Sequence, residues 1–317
     1  MVKLVSADGS FELGFFSPDR SKSRYLEVCD QGILALQNST KSIVWSSNTS
    51  RTAHNPVAQL LESGNFAVKD RNESSLENLM SQSIDYPRDN FLPGMKLGRN
   101  FDTGFEIYIS SWKSIDDPAQ GEYSLRIDHR GLLQIVVRKE SETLFRSGAW
   151  NGHYFLGRKP NLKSGTLCSY ELVLNRKEIY FKYELQNNSI LLRYAMNPSG
   201  LMQRFTWNER NHDWLIFFTP QADQCATYAL CGAYATCSTN GSLPCECLEG
   251  FVPKTPAFRD WNTGEWSEGC LWRTPLVCDG GDGFLKQTLL KFPDTSHAWA
   301  NNTMSYRHCI RRFLHYS

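Results

Sequence analysis

Short runs with a period of two recur along this chain, and a polar turn carrying a glycine precedes several of them: CDQGILALQN, LESGNFAVKD, DHRGLLQIVVRK and NPSGLMQRFTW. Glycine reaches the positive φ of a tight hairpin, and the alternation that follows puts one strand face toward a core and the other toward water. SIVWSSN, TLFRSGAW, SYELVLN and EIYFKYEL, rich in β-branched and aromatic residues, add further strands. Convincing long helices are absent. The pattern predicts an antiparallel all-β region over residues 1 to about 220, then a cysteine-rich stretch, then a short remainder.

The cysteine-rich stretch, CATYALCGAYATCSTNGSLPCEC, carries Cys225, Cys231, Cys237, Cys245 and Cys247, and Cys270 follows beyond an aromatic-rich segment. Zinc sites built from cysteine usually present C-x-x-C pairs, which aim two thiolates at one ion; this chain has none. Six cysteines suit three disulfides in a module too small to bury a large core, and sequence alone leaves their connectivity open.

The wider composition agrees with an oxidising compartment. The 317 residues include 10 cysteines, and 34 basic side chains balance 33 acidic ones. Such a neutral chain has no electrostatic reason to seek nucleic acid or an anionic membrane. Asn38, Asn48, Asn72, Asn187, Asn240 and Asn301 each open an N-x-S/T acceptor for N-glycosylation, which points to the secretory pathway. The N-terminus, MVKLVSADGSFELGFF, has no uninterrupted apolar segment or small-residue cleavage site, and no stretch is apolar for the ~18 residues that span a bilayer. The expectation is a secreted protein, or the extracellular side of a membrane protein, whose export signal and anchor lie outside this sequence.

Catalytic signatures are missing. No G-x-S-x-G, H-E-x-x-H, P-loop or G-x-G-x-x-G occurs. His153 and His212 stand beside aromatic runs and read as packed or surface residues. Asp116 and Asp117, which could be cast as glycosidase carboxylates, precede a proline and read as a turn. DGGDG at 279–283 reads as a glycine-rich turn. Calcium is not expected, because QADQC offers Asp223 without further oxygen ligands. No cofactor is expected.

SFELGFFSP, IVWSSNTS, NPVAQLLESGNFAV, DYPRDNFLPGMKLGRN, SSWKSIDDPAQGEYSLRID, FRSGAWNG, RFTWNERNHDWLIFFTPQADQCATYALCGAYATC and CLEGFVPK follow one another over nearly the whole chain. In content and order they resemble plant S-locus glycoproteins and the ectodomains of G-type lectin S-receptor-like serine/threonine kinases. The resemblance implies four parts: a bulb-type, mannose-lectin-like β-prism over 1–100, an S-locus glycoprotein domain over 101–220, an EGF-like module over 221–271 and the opening of a PAN/apple domain over 272–317. It also implies the pairing Cys225–Cys237, Cys231–Cys245 and Cys247–Cys270, and places Cys278 and Cys309 as the first PAN cysteines. The implied function is non-catalytic extracellular recognition of a peptide, protein or carbohydrate, with pairing to itself or to related receptors, in a family linked to pollen recognition and defence. A stand-alone secreted lectin and a secreted glycosidase are the alternatives.

Departures from the family pattern are informative. RYLEV passes directly to CDQGILAL, where relatives continue into further strands, so the first domain is internally shortened. Ser81 stands where tryptophan is usual, and Cys29 and Cys168 occupy positions where cysteine is not expected; each is a buried thiol or part of a new bridge. The mannose-binding pattern Q-x-D-x-N-x-V-x-Y falls on Leu61, Ser63, Asn65, Ala67 and Lys69, which retains only Asn65. A second register over Val28, Asp30, Gly32, Leu34 and Leu36 retains only Asp30. Leu61 can neither donate nor accept a hydrogen bond to a sugar. These hairpins are expected to persist for the fold, with Asn65 and Asp30 as residual lectin positions.

Overall fold

The computed structural model describes residues 4–14, 25–47, 51–75, 78–157, 167–187, 190–239, 243–254 and 266–274, with 285, 287, 290, 291 and 294–296. Among these residues the architecture is all-β, with antiparallel pairing throughout and only single-turn 3-10 helices.

The first part holds a small hairpin, Leu4–Val5 with Glu12–Leu13, and two three-stranded sheets. One sheet orders Tyr25–Val28, Leu34–Gln37 and Ile43–Ser46; the other orders Pro56–Leu60, Phe66–Asp70 and Ser81–Gln82. The interior is small, made chiefly by Leu34, Ala35, Leu60, Ala67 and Val68. Ser81 pairs with Val68 and is half-buried.

Three four-stranded sheets make the second part. Glu106–Ile107, Leu97–Asn100, Glu178–Leu185 and Cys168–Leu174 form one, and Ile109–Ser114, Asp117–Asp128, Gln134–Lys139 and Glu142–Arg146 form another. The third orders Asp213–Phe218, Met202–Asn208, Leu192–Met196 and Asn90–Phe91. Their inner faces meet in one core that includes Phe91, Leu97, Ile109, Val137, Tyr183 and Met196. Aromatic edges set its geometry: Tyr183 lies 5.2 Å from Phe91 and 5.3 Å from Tyr194, and its hydroxyl donates to the Phe91 carbonyl at 2.9 Å. Asn90–Phe91 and Leu97–Asn100 are thus hydrogen-bonded into the second part, with Leu97 opposite Phe181 and Phe91 opposite Tyr194.

The predicted glycine turns are built as the sequence suggests. At NPSG, Gly200 has φ 83°, while the Asn197 Oδ1 accepts from the Ser199 and Leu201 amides and holds the turn. Gly98 serves differently: a Cβ there would collide with the Ile179 carbonyl oxygen of the neighbouring strand. Gly98→Ala is expected to lower stability by about 1–3 kcal/mol through overpacking, read as a lower urea midpoint with an unchanged m-value.

The cysteine-rich module packs beside this second part. Its two hairpins pair Ala235–Cys237 with Cys245–Cys247 and Phe251–Pro253 with Cys270–Trp272. The Tyr234, Phe251 and Trp272 rings cluster, with Phe251 stacked on Tyr234 at 4.7 Å and tilted against Trp272 at 4.3 Å. A bridge between Phe145 and Thr227, with the Tyr228 amide donating to the Leu144 carbonyl at 2.7 Å, ties the module to the last strand of the second sheet.

Candidate functional site

The first candidate is the residual lectin strand, which the structure turns inward. Asn65 is 5% exposed. Its Nδ2 donates to Gln82 Oε1 at 3.0 Å, and its Oδ1 accepts from Ser83 Oγ at 3.1 Å and the Ile84 amide at 3.3 Å. The amide therefore fastens the hairpin to the segment after Gln82, and no arm of it faces a sugar. Ala67 is buried beside it, Leu61 and Lys69 are half-buried, and Ser63 is exposed in the turn. In the second register Asp30 is exposed in a 3-10 turn, whereas Gly32 and Leu34 are buried. The retained positions never come together as one polar surface.

The cysteines of the module form Cys225–Cys237, Cys231–Cys245 and Cys247–Cys270, with Cα separations of 5.5, 5.5 and 5.8 Å that suit the bond. The sulfurs of Cys231, Cys237 and Cys245 lie within 4.8 Å of one another, a spacing a metal ion could use, but all three are consumed by disulfides. Cys29 is a half-buried free thiol and Cys168 is buried at the start of its strand. Cys278 and Cys309 lie outside the described residues.

Among the glycosylation acceptors, Asn72 and Asn187 are exposed, and Asn38 is half-buried in a turn where its Oδ1 accepts from the Thr40 and Ser42 amides. Asn48, Asn240 and Asn301 lie outside the described residues. The residues considered for catalysis are dispersed on the surface. His153 and His212 are exposed, Asp116 sits in a turn, and Asp117 pairs with Lys113 at 3.8 Å.

Sequence reading missed the edge strand Asp213–Phe218. Among the described residues its one strand partner is Met202–Asn208, which makes it the edge of its sheet. Leu215, Ile216, Phe217 and Phe218 are 47, 57, 54 and 37% exposed, a contiguous apolar row on that edge. Beside it on the outer sheet face, Trp207 packs on Trp214 at 5.4 Å and the Arg193 guanidinium lies 4.6 Å over Trp214. Five apolar residues in a row, WLIFF, fit the pattern of a buried central strand; only the sheet order places them at an edge among the described residues.

A second unexpected contact fastens Lys291 and residues 294–296 to the second sheet. Thr295 exchanges hydrogen bonds with Leu132, and Asp294 accepts from the Tyr228 hydroxyl at 2.6 Å, Gln134 Nε2 at 3.0 Å and the Ser296 amide at 3.0 Å. Burial alone would raise the Asp294 pKa, but these hydrogen bonds outweigh it and hold the carboxyl down at about 2. Burial, with repulsion from Arg146, pushes the Lys291 ammonium down to about 8. Asp294 has a folded pKa below its ordinary 3.8, so its contribution is present above 3.8 and is lost as pH falls toward 2. Lys291 gives up its proton earlier when docked, so that contact strengthens as pH rises from about 8 toward 10.5. Asp294→Asn is expected to lower the thermal midpoint above pH 3.8, and the gap from the native chain should close as pH falls toward 2, followed by scanning fluorimetry.

Comparison with known proteins bears on what these surfaces serve. Residues 17–113 match the family model for D-mannose binding lectin, and residues 145–255 match that for the S-locus glycoprotein domain. The chain is 33% identical to the S-locus-specific glycoprotein S6 of Brassica oleracea, over 98% of this chain and 78% of that protein. It is likewise 33% identical to the receptor-like serine/threonine-protein kinase SD1-8 of Arabidopsis thaliana, over 98% of this chain and 40% of the kinase. The G-type lectin S-receptor-like serine/threonine-protein kinase SD1-1 of the same plant gives 33% identity over 96% of this chain and 42% of its own length. The chain therefore spans about two fifths of the receptor kinases it matches. No helix among the described residues is long and apolar enough to cross a membrane.

Proposed function

Because this chain belongs to the family of S-locus glycoproteins and G-type lectin receptor kinases, we propose that it is an extracellular recognition protein whose ligand is a peptide or protein held on its β surface. The observation that carries this reading is the edge over residues 213–217, where among the described residues no second strand pairs with the backbone and the large apolar side chains of Leu215, Ile216 and Phe217 are half-exposed. An extended peptide can add to such an edge, with backbone hydrogen bonds supplying affinity and alternate side chains supplying selectivity. The same edge left uncovered would favour aggregation, which gives a covering partner a physical purpose. A glycan-binding role has less support, since Asn65 spends its amide on internal hydrogen bonds.

The four-part organisation belongs to the same reading: shortened lectin part, S-locus part, EGF-like module and PAN opening. The pairing of Asn90–Phe91 and Leu97–Asn100 with later strands favours a first division near residue 86 in place of 100. Signalling, in pollen recognition or defence, would need a kinase joined to this ectodomain-like chain.

Panning a random-peptide display library against the full chain tests the proposal. Selected peptides should slow amide exchange in Asp213–Phe218 and lose binding to Ile216→Lys, a change at an exposed site that leaves thermal stability intact. Peptides that bind the Ile216→Lys chain equally well would overturn the reading. Robust binding on a glycan array would restore the stand-alone lectin, and turnover of plant glycans the glycosidase.

A further inference from the structure

An open cleft of about 170 Å³ lies on the outer face of the third sheet, where Trp112 and Ile115 from the first hairpin of the second sheet stand against it. Arg193, Ala195, Gln203 and Phe205, paired across two strands on the face opposite Tyr194 and Met202 of the core, line its floor. Two opposite charges face this space. The Asp89 carboxylate is half-buried, and among the described residues it has neither a hydrogen bond nor an ion pair. Its backbone is fixed by the Met196 amide, which donates to the Asp89 carbonyl at 2.8 Å. The Arg193 guanidinium is clamped, with the Phe205 ring at 5.2 Å, the Trp214 ring at 4.6 Å and Nη1 donating to Asn90 Oδ1 at 2.8 Å. Its Nε is buried without a partner. Burial pushes the Arg193 pKa down, and the charge of Asp89 pulls it partly back up. The two groups are near enough to feel one another, yet among the described residues they form no ion pair.

We propose that this cleft binds a free α-amino acid with an apolar side chain. Such a molecule brings a carboxylate to Arg193 and an ammonium to Asp89, and so bridges two charges that the fold keeps apart. A guanidinium already held by two rings and Asn90 loses little freedom when a ligand arrives, which favours binding through preorganisation. Trp112, Ile115 and Phe205 offer an apolar wall to the side chain, with Ile115 76% exposed and available to be covered. The volume exceeds that of a cavity of about 150 Å³ known to admit one benzene ring, which leaves room for one such molecule. A small inorganic ion would answer one charge and leave the wall empty, and a neutral sugar would pair with neither charge. No residue of the edge strand lines the cleft, although Phe205 stands opposite Ile216 and Arg193 packs on Trp214. A single amino acid cannot add to an edge as a strand, so its binding is measured apart from peptide capture.

Calorimetric titration of the full chain with L-leucine, N-acetyl-L-leucine, L-leucinamide and glycine tests the proposal. L-Leucine should bind. N-acetyl-L-leucine, which lacks the ammonium, and L-leucinamide, which lacks the carboxylate, should each bind about tenfold or more weakly. Glycine, with both charges and no side chain, should also lose about tenfold or more. Asp89→Asn keeps the shape of its side chain and should erase the preference for L-leucine over N-acetyl-L-leucine. Peptides selected at the edge should still bind the Asp89→Asn chain, so failure of either reading is seen apart from the other. No binding of L-leucine, equal affinity for either blocked form, glycine as tight as L-leucine, or full selectivity in Asp89→Asn would each overturn the proposal; the first would mean that water satisfies both charges. The ligand comparisons hold on the unaltered chain even where the variant does not fold.

Discussion

Cys245→Ser is expected to retain the protein in the secretory pathway or release it as mixed-disulfide species. The buried apolar residues of the module, among those described, are Cys231, Cys245 and Cys270, so the sulfurs themselves are its core. Losing the Cys231–Cys245 bridge, which spans 14 residues, removes a constraint worth about 2–4 kcal/mol. The released Cys231 thiol then lies within 4.8 Å of the Cys237 sulfur. A thiolate that close to an intact disulfide is placed to attack it, so the damage should spread to Cys225–Cys237 through exchange. Non-reducing electrophoresis and disulfide mapping of the secreted fraction would show both effects. Replacing Cys231 by serine as well removes the attacking thiol, and the double variant should therefore scramble less while remaining destabilised. Secretion of a correctly paired, monomeric Cys245→Ser chain at the native level would rule out a supporting role for this bridge.

Different levels of organisation were legible in the sequence to different degrees, for physical reasons. Hairpins announce themselves locally: the glycine and asparagine of NPSG dictate their turn through φ and a side-chain cap, whatever surrounds them. The all-β class and its strands followed from that. Sheet order is not local, and Asn90–Phe91 and Leu97–Asn100 show the consequence. Sequence continuity assigned them to the first part, yet their hydrogen bonds reach residues 178–196. Asn65 failed as a site marker for a related reason. Its identity fits a sugar-binding pattern, but which way its amide is spent depends on Gln82 and Ser83, far along the chain. Arg204 gave no signal at all, since an arginine in an alternating strand reads as outward-facing; only its zero exposure and its guanidinium without hydrogen bonds distinguish it.

Residues 1–86, expressed alone, are expected to show no cooperative unfolding transition, whereas residues 87–317 should retain one. The large core cluster begins at Phe91, and no buried residue before that position belongs to it. Among the described residues the buried apolar side chains of the first part are few and small: Leu34, Ala35, Leu60, Ala67 and Val68. Its outer sheet leaves large apolar side chains half-exposed among the described residues, with Tyr25 54%, Ile43 63%, Val44 52% and Trp45 45% exposed. All four residues of the edge strand Ile43–Ser46 are exposed on both faces. A prism closes by burying the faces of its sheets against one another, and the shortening after Leu26 that the family resemblance implies would remove strands that meet these apolar faces. Three-stranded sheets that bury so little against one another are marginal in water, so this part should open locally at a free energy well below that of the whole. In the intact chain, amide exchange should accordingly be fast in Tyr25–Val28 and Ile43–Ser46 and slow in Glu178–Leu185, with a hydrophobic dye bound at the former. Slow exchange in Ile43–Ser46, or a cooperative transition in residues 1–86, would mean that the shortened prism has closed on itself by a contact between its two sheets strong enough to stand alone.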